Sequence, residues 1–308
     1  MKEKIIKLWE KFWFSRFDPA SVGMFRIFLG ILILSMFICS YFNWYRFYGS
    51  DGIISLHESG LERQYQSVWS VFYWTEGKIN IEVYWWIGLL SSVAFILGFK
   101  TRLATIILYI LFSSMIHRNN YITNGDDLVV RMLLFYSCFS PLGYSLSLDS
   151  FLKKRFSAAA EVEQLPMIWS IRSMQINILL IYIISLPNKL ADDVAWWNGE
   201  AIYLTVVNTM WGRRPSPYFP DLFYNWDCLL SKISTYGTIF VEGGFPILVW
   251  FRKTKLIAIV LIASLHIGIA FLVPNVLFFT LAMACSFWVF VPPETTHKIL
   301  NCIFRFRK

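Results

Sequence analysis

The chain has 308 residues and a net charge of +8, with 56% hydrophobic, 19% aromatic and 16% charged residues. Soluble domains run nearer 45–50% apolar and about 25% charged, so this composition, at a mean hydropathy of +0.52, excludes an ordinary soluble globule. The positive residues flank apolar blocks, so anionic headgroups and topology account for the charge, and no nucleic-acid partner is expected.

The apolar blocks are separated by charged connections, and their lengths suit a hydrocarbon core about 30 Å thick crossed at about 1.5 Å per helical residue. They predict an all-α, polytopic integral membrane helix bundle of about eight transmembrane helices, with no soluble domain. Residues 1–20 interleave Lys2, Lys4, Lys7, Lys11 and Arg16 with Ile5, Ile6, Leu8, Trp9, Phe12, Trp13 and Phe14. That pattern predicts a basic amphipathic segment lying on a membrane surface. The membrane domain then covers 21–292, with a first span over about 21–42 that lacks a small-residue cleavage site and is expected to be retained.

After a polar-aromatic loop over 43–80, spans at about 81–99 and 103–117 form a hairpin around Gly98-Phe99-Lys100-Thr101-Arg102. A fourth span covers about 127–147. A basic connection over 148–168 leads to a fifth at about 169–188. Residues 189–231 carry Trp196-Trp197 and Gly212-Arg213-Arg214-Pro215 and predict an interfacial or re-entrant segment. Spans at about 232–251, 256–273 and 275–292 follow, and a basic cytoplasmic tail, 293–308, ends the chain. Most of the 28 Lys and Arg fall on the cytoplasmic side when both termini are placed there, which predicts a multi-pass cell-membrane protein with cytoplasmic termini.

Five cysteines, Cys39, Cys138, Cys228, Cys285 and Cys302, form no C-x-x-C. Their number and spacing suit neither a disulfide framework nor a metal site, and none is expected. No phosphate-binding loop, dinucleotide fingerprint or H-E-x-x-H occurs.

An ionisable group at mid-bilayer costs a few kcal/mol on insertion scales and needs an explanation. Glu242, before Gly243-Gly244, and His266 lie almost equally far from the turn near 253–254. They should share a depth and can pair, as a buried acid–base or ligand-holding dyad or as a structural hydrogen bond between helices. Lys189 follows Pro187 and stands about 25 Å along a helix from Arg172. It reads as a base in apolar surroundings or as a lysine snorkelling to the interface.

Between spans three and four, Asn124 or Asp126 can cap a helix, and Asp127 and Arg131 have i,i+4 spacing for an ion pair. The adjacent Asn119 and Asn120 can orient a polar ligand. Arg26, one to two turns inside span one, is expected to snorkel to the headgroups. Arg26, Asp126, Asp127 and Arg131 are thus the structural polar residues.

Phe17-Asp18-Pro19 with Phe25-Arg26 and Gly30 resembles the opening of the HTTM family, which includes the transmembrane part of vitamin K-dependent gamma-carboxylase. Arg118-Asn119-Asn120 through Asn124-Gly125-Asp126, then Arg131, Pro141-Leu142-Gly143 and Ser147-Leu148-Asp149, is similar too. So are Asn188-Lys189-Leu190 and Leu265-His266-Ile267.

The resemblance implies a membrane-embedded enzyme of the carboxylase or quinol-epoxidase kind, a lyase or oxidoreductase. It implies Lys189 as the catalytic base toward a reduced, vitamin K-like quinone as cosubstrate. Asn119, Asn120, His266 and Glu242 would shape the substrate or quinone site. Tyr121 stands where the carboxylase has histidine. The resemblance also reaches small non-catalytic relatives of the sporulation-delaying protein B type. These imply maturation or export of a secreted peptide, with that peptide or a partner protein bound at the external loops.

Overall fold

The computed structural model describes residues 2–55, 69–74, 78–156, 165–192, 194–207, 229–273 and 276–305. Among them the fold is helical, with one isolated antiparallel bridge between Arg16 and Met167 and no strand. The chain divides into two compact units. The first comprises Met1–Ser173 with Pro292–Lys308, and the second Met174–Val291.

In the first unit α1 (Lys2–Phe14) buries none of its residues and leaves Ile5, Ile6, Leu8, Trp9 and Phe14 exposed beside its lysines. The strongly apolar α2 (Ala20–Ser40) continues through a tight turn at Tyr41–Asn43 into α3 (Trp44–Tyr48). α4 (Lys78–Leu97) and α5 (Thr101–Arg118) form the expected hairpin. Gly98 closes α4 at φ +67°, a left-handed residue of the kind that ends helices. Asp149 secures the start of α5, accepting from the Lys100 and Thr101 backbone N–H groups (both 2.8 Å) and from Thr101 Oγ1 (2.7 Å).

α6 (Gly125–Phe139) corrects the expectation for the fourth span. It stops at 139, well short of 147, and Ser140 is extended. The cause is local, because the residue before a proline, here Pro141, is pushed out of the helical region. The short α7 (Leu148–Phe156) follows. The basic cytoplasmic tail expected over 293–308 is helical over most of its length. It forms α14 (Pro293–Arg305), led by a proline at the first helical position, where the missing N–H costs nothing. Ser21 and Thr296 hydroxyls meet at 2.8 Å, and His297 Nε2 stands 2.8 Å from Asp18, fixing α14 to the start of α2.

The second unit holds most of α8 (Trp169–Asp192), α9 (Val194–Asn198), α10 (Ala201–Val207), α11 (Leu229–Leu248), α12 (Lys255–Leu272) and α13 (Leu277–Phe287). The last expected span shortens to α13 and a tight turn at Trp288–Phe290. Of the segment expected to be interfacial or re-entrant, α9 and α10 are described. Its Gly212-Arg213-Arg214-Pro215 stretch lies outside the described residues.

Among the described residues three helices are long and apolar enough to cross a membrane: Ala20–Tyr48, Trp169–Ala191 and Lys255–Leu272. A fourth is reached only if Leu277–Phe290 and Pro293–Ile303 are counted as one broken span.

Candidate functional site

In the second unit α8 runs on through Pro187, so Lys189 sits on a helix rather than in a loop. Proline removes one backbone hydrogen bond from the turn before it. α11 carries Pro246 four residues after Glu242 and is likewise weakened there. Gly243 lets the two helices approach, since a Cβ at that position would stand 3.0 Å from Leu186 Cδ2.

Across this close contact Lys189 Nζ donates to both carboxylate oxygens of Glu242, at 2.7 and 2.6 Å. The Trp196 ring from α9 lies 4.9 Å from the same Nζ, a cation–π distance. The pair is asymmetric: the lysine side chain is 25% exposed and that of Glu242 only 7%. The amine is the reachable end and the carboxylate the buried one.

The expected Glu242–His266 pair is therefore corrected. Both residues are buried as anticipated, but equal depth does not fix which way a helix turns its side chains. Glu242 is paired with Lys189. His266 Nε2 stands 2.8 Å from the hydroxyl of Tyr182, and its backbone carbonyl accepts from Thr280 Oγ1 at 3.1 Å.

His266 Nδ1 is buried without a hydrogen-bond partner, and burial of such a group is costly unless something binds it. Around it an aromatic shell closes: the His266 ring lies 5.6 Å from Phe279 and 5.7 Å from Phe287, and Tyr182 lies 5.4 Å from Phe245. Tyr182 and Lys189 are seven residues apart on one helix, two turns and so on one face. Gln175, lower on α8, donates to the Val289 carbonyl at 2.7 Å.

Sequence reasoning missed Tyr182 and the contact of Trp196 with Lys189. The seven-residue spacing from Lys189 was the available signal for the tyrosine. A tryptophan brought back from the following short helix leaves none.

The remaining expected residues belong to the first unit. Arg26 does not snorkel; it is wholly buried. Its guanidinium donates to the backbone carbonyls of Leu142 (3.0 Å), Ile96 (3.4 Å) and Leu146. The Ile96 carbonyl is left over at the end of α4, and those of Leu142 and Leu146 belong to the non-helical connection between α6 and α7.

Asn119 is buried, with Nδ2 on the Phe47 carbonyl at 3.1 Å and Oδ1 unpaired, whereas Asn120 is exposed. The two amides therefore do not act side by side. The sequence reading passed over Arg118, which is buried and donates to the carbonyls of Gly49 and, at 2.8 Å, Ile54. Burial pulls its guanidinium below the ordinary value.

The expected Asp127–Arg131 ion pair is not formed. Asp127 accepts the Asn124 backbone N–H at 2.9 Å instead, the back-bond of a capping box. Asn124 is the N-cap residue, and Asp126 lies buried in the first turn. Burial raises the Asp126 carboxyl above the usual carboxylate value.

No family model matches this chain, and no curated protein and no solved structure matches it. The site is read from its own chemistry. It comprises a reachable amine on a buried carboxylate, a buried imidazole with one unpaired nitrogen, and an aromatic wall. That set can exchange a proton with a hydroxyl-bearing molecule that reaches the Lys189 amine.

Proposed function

We propose that the chain is an eight-span integral membrane protein of the cell membrane with both termini cytoplasmic. In this reading it is a membrane-embedded enzyme of the HTTM, gamma-carboxylase-like kind, and Lys189 takes a proton from a reduced quinone or related lipid near the external face. Eight helices (α2, α4, α5, α6, α8, α11, α12 and α13) overlap the eight apolar blocks, and three of them are by themselves long and apolar enough to cross, which supports the count of spans.

One observation carries the chemistry: the Lys189–Glu242 pair has its lysine partly exposed and its carboxylate buried. Burying two charges together is expensive. When a lipid displaces water from the site, moving one proton from the Lys189 ammonium to the Glu242 carboxylate removes both charges and leaves a neutral amine. The amine then accepts the proton of the quinol hydroxyl and becomes ammonium again, leaving the quinolate oxygen negative beside it. His266 Nδ1 and the tilted rings around it bind and orient the quinol. General-base catalysis of this kind is worth about 10²–10⁴-fold.

The test is quinol binding and oxygen-dependent turnover in nanodiscs for wild type, Lys189→Ala and Glu242→Gln, with folding followed by thermal shift. Turnover lost in Lys189→Ala while quinol still binds is the expected result. Neither binding nor turnover with several quinols overturns the reading.

A second reading, a non-catalytic protein for maturation or export of a secreted peptide, is favoured by a different observation. The described part of the first external loop is a folded aromatic cap. Tyr48 stacks on Phe72 at 5.4 Å, and Trp44 packs on the same ring at 5.9 Å. Those rings are the buried core of the cap, and Trp69 and Trp74, exposed and 5.6 Å apart, give it an aromatic surface that suits a peptide or partner protein. Crosslinking from this cap to a co-expressed peptide, with Lys189 dispensable, would support it.

A further inference from the structure

In the first unit a cavity of about 430 Å³ opens where α5, α6 and α7 meet. Its lining combines two cations, Arg102 and Lys153, with the hydroxyl residues Ser137, Ser140 and Ser150. Arg102 is exposed and makes no hydrogen bond or ion pair among the described residues.

One carboxylate, Asp149, also lines the cavity. Its carboxylate is held at the start of α5 by three uncharged donors, and against two cations it leaves the lining with an excess of positive charge. Ser137 is 2% exposed, and its hydroxyl has no hydrogen-bond partner. A buried hydroxyl left unpaired against a cationic cavity is a donor waiting for an acceptor.

The mouth of the cavity continues into an apolar strip. Phe139 lines the cavity and is exposed. Its ring lies 5.4 Å from Phe135 on one side and 6.3 Å from Trp169 on the other. Phe135 in turn meets Tyr109 at 5.7 Å, and the neighbouring Leu103 and Ile106 on α5 are exposed. A charged, hydroxyl-lined hollow that opens onto an aromatic strip along two apolar helices has the polarity of a lipid: headgroup at one end, chain along the other.

We propose that this cavity is a binding site for the phosphate of an anionic phospholipid. Arg102 and Lys153 neutralise the phosphate, the Ser137 hydroxyl donates to one of its oxygens, and an acyl chain lies along Phe139 and Phe135. Basic pockets beside membrane helices on the cytoplasmic side take lipid headgroups by this chemistry. The hairpin 98–102 and the 148–168 connection lie on the side that the cation bias assigns to the cytoplasm. The site is independent of the Lys189 chemistry.

The experiment is native mass spectrometry of the full chain in neutral detergent, with phosphatidylglycerol and phosphatidylcholine offered at equal concentration. Both lipids carry a phosphate, but only the first has a net negative charge. The wild type is expected to retain phosphatidylglycerol preferentially. The double variant Arg102→Gln/Lys153→Gln is expected to lose about fivefold in retention per charge removed. Ser137→Ala is expected to lose a smaller factor.

The double variant Lys4→Gln/Lys7→Gln removes the same charge from α1 and is expected to match wild type. Melting curves without lipid check that every variant is folded. Equal retention of the two lipids, or retention unchanged in Arg102→Gln/Lys153→Gln, overturns the site. Displacement of the lipid by millimolar glycerol phosphate keeps the phosphate site but overturns the lipid as its occupant.

Discussion

Arg26 in the first unit and Lys189 in the second are both cations set in apolar helices, yet their surroundings differ in kind. Arg26 is fully buried, and its hydrogen bonds go to backbone carbonyls. A guanidinium cannot be deprotonated in a protein, and a carbonyl cannot take its proton, so this cluster can only tie chain ends together. Lys189 has a carboxylate for a partner, a ring against its amine and part of its surface open. Its partner can change protonation state, and so can it. A buried cation bound by carbonyls is therefore a structural tie, and one bound by a buried carboxylate has the means to move a proton.

The largest effect is expected from Arg26→Met, which strips three carbonyls of their donor and should cost about 3–5 kcal/mol. Loss of folded, monodisperse protein in nanodiscs would register it. Arg26→Lys should recover only part, because a point charge lacks the planar fork. A melting temperature for Arg26→Met close to wild type would break the comparison on the structural side.

Gly98→Ala comes next. It forces a side chain into φ +67° and drives a Cβ into Arg26 Nη1 and Ser147 Cβ. A cost of about 2–3 kcal/mol is expected by thermal unfolding.

On the reactive side, Lys189→Met and Glu242→Gln should each cost about 2 kcal/mol, since each leaves a partner uncompensated. The double variant should be less destabilised than the sum, with a coupling of at least about 1 kcal/mol in a double-mutant cycle. All three should lack quinol turnover. Full activity in Lys189→Met would leave both cations as structural ties.

Tyr182→Phe sharpens the reactive side further. It removes the hydroxyl from His266 Nε2 and should cost about 1 kcal/mol, read by thermal shift, with weaker quinol binding.

The smallest effect sets the exposed baseline. Burial pushes the Asp18 carboxyl up, but the bonds from His297 and the Ala20 N–H outweigh it and hold the carboxyl below its ordinary value. A depressed carboxyl adds stability above its unfolded pKa, near 4, and loses it as pH falls through the folded value. The two side chains are 44% and 53% exposed, so screening limits the effect to a few tenths of a kcal/mol. Melting curves between pH 6 and pH 3 should show it in wild type and not in His297→Ala.

Composition and the spacing of apolar blocks determined that the chain is helical, where most of its helices run and that Glu242 and His266 are buried, because the length of an apolar run and the depth of a residue within it are local properties. The ends of α6 and α13 were less legible. There hydropathy continues past the helix, while Pro141 and the Pro292-Pro293 pair stop it through backbone sterics. Depth along a helix could be counted from the sequence, and it put Glu242 and His266 correctly in the interior.

Partnership could not be counted. It depends on the rotation of each helix about its axis and on how close two helices come. Only the tertiary structure decided that Gly243 admits Leu186, that Lys189 thereby reaches Glu242, and that His266 turns to Tyr182. The same holds for Arg26, whose three carbonyls come from chain segments 70 to 120 residues away. Backbone groups carry no side-chain signature, so no pattern in the sequence announces them.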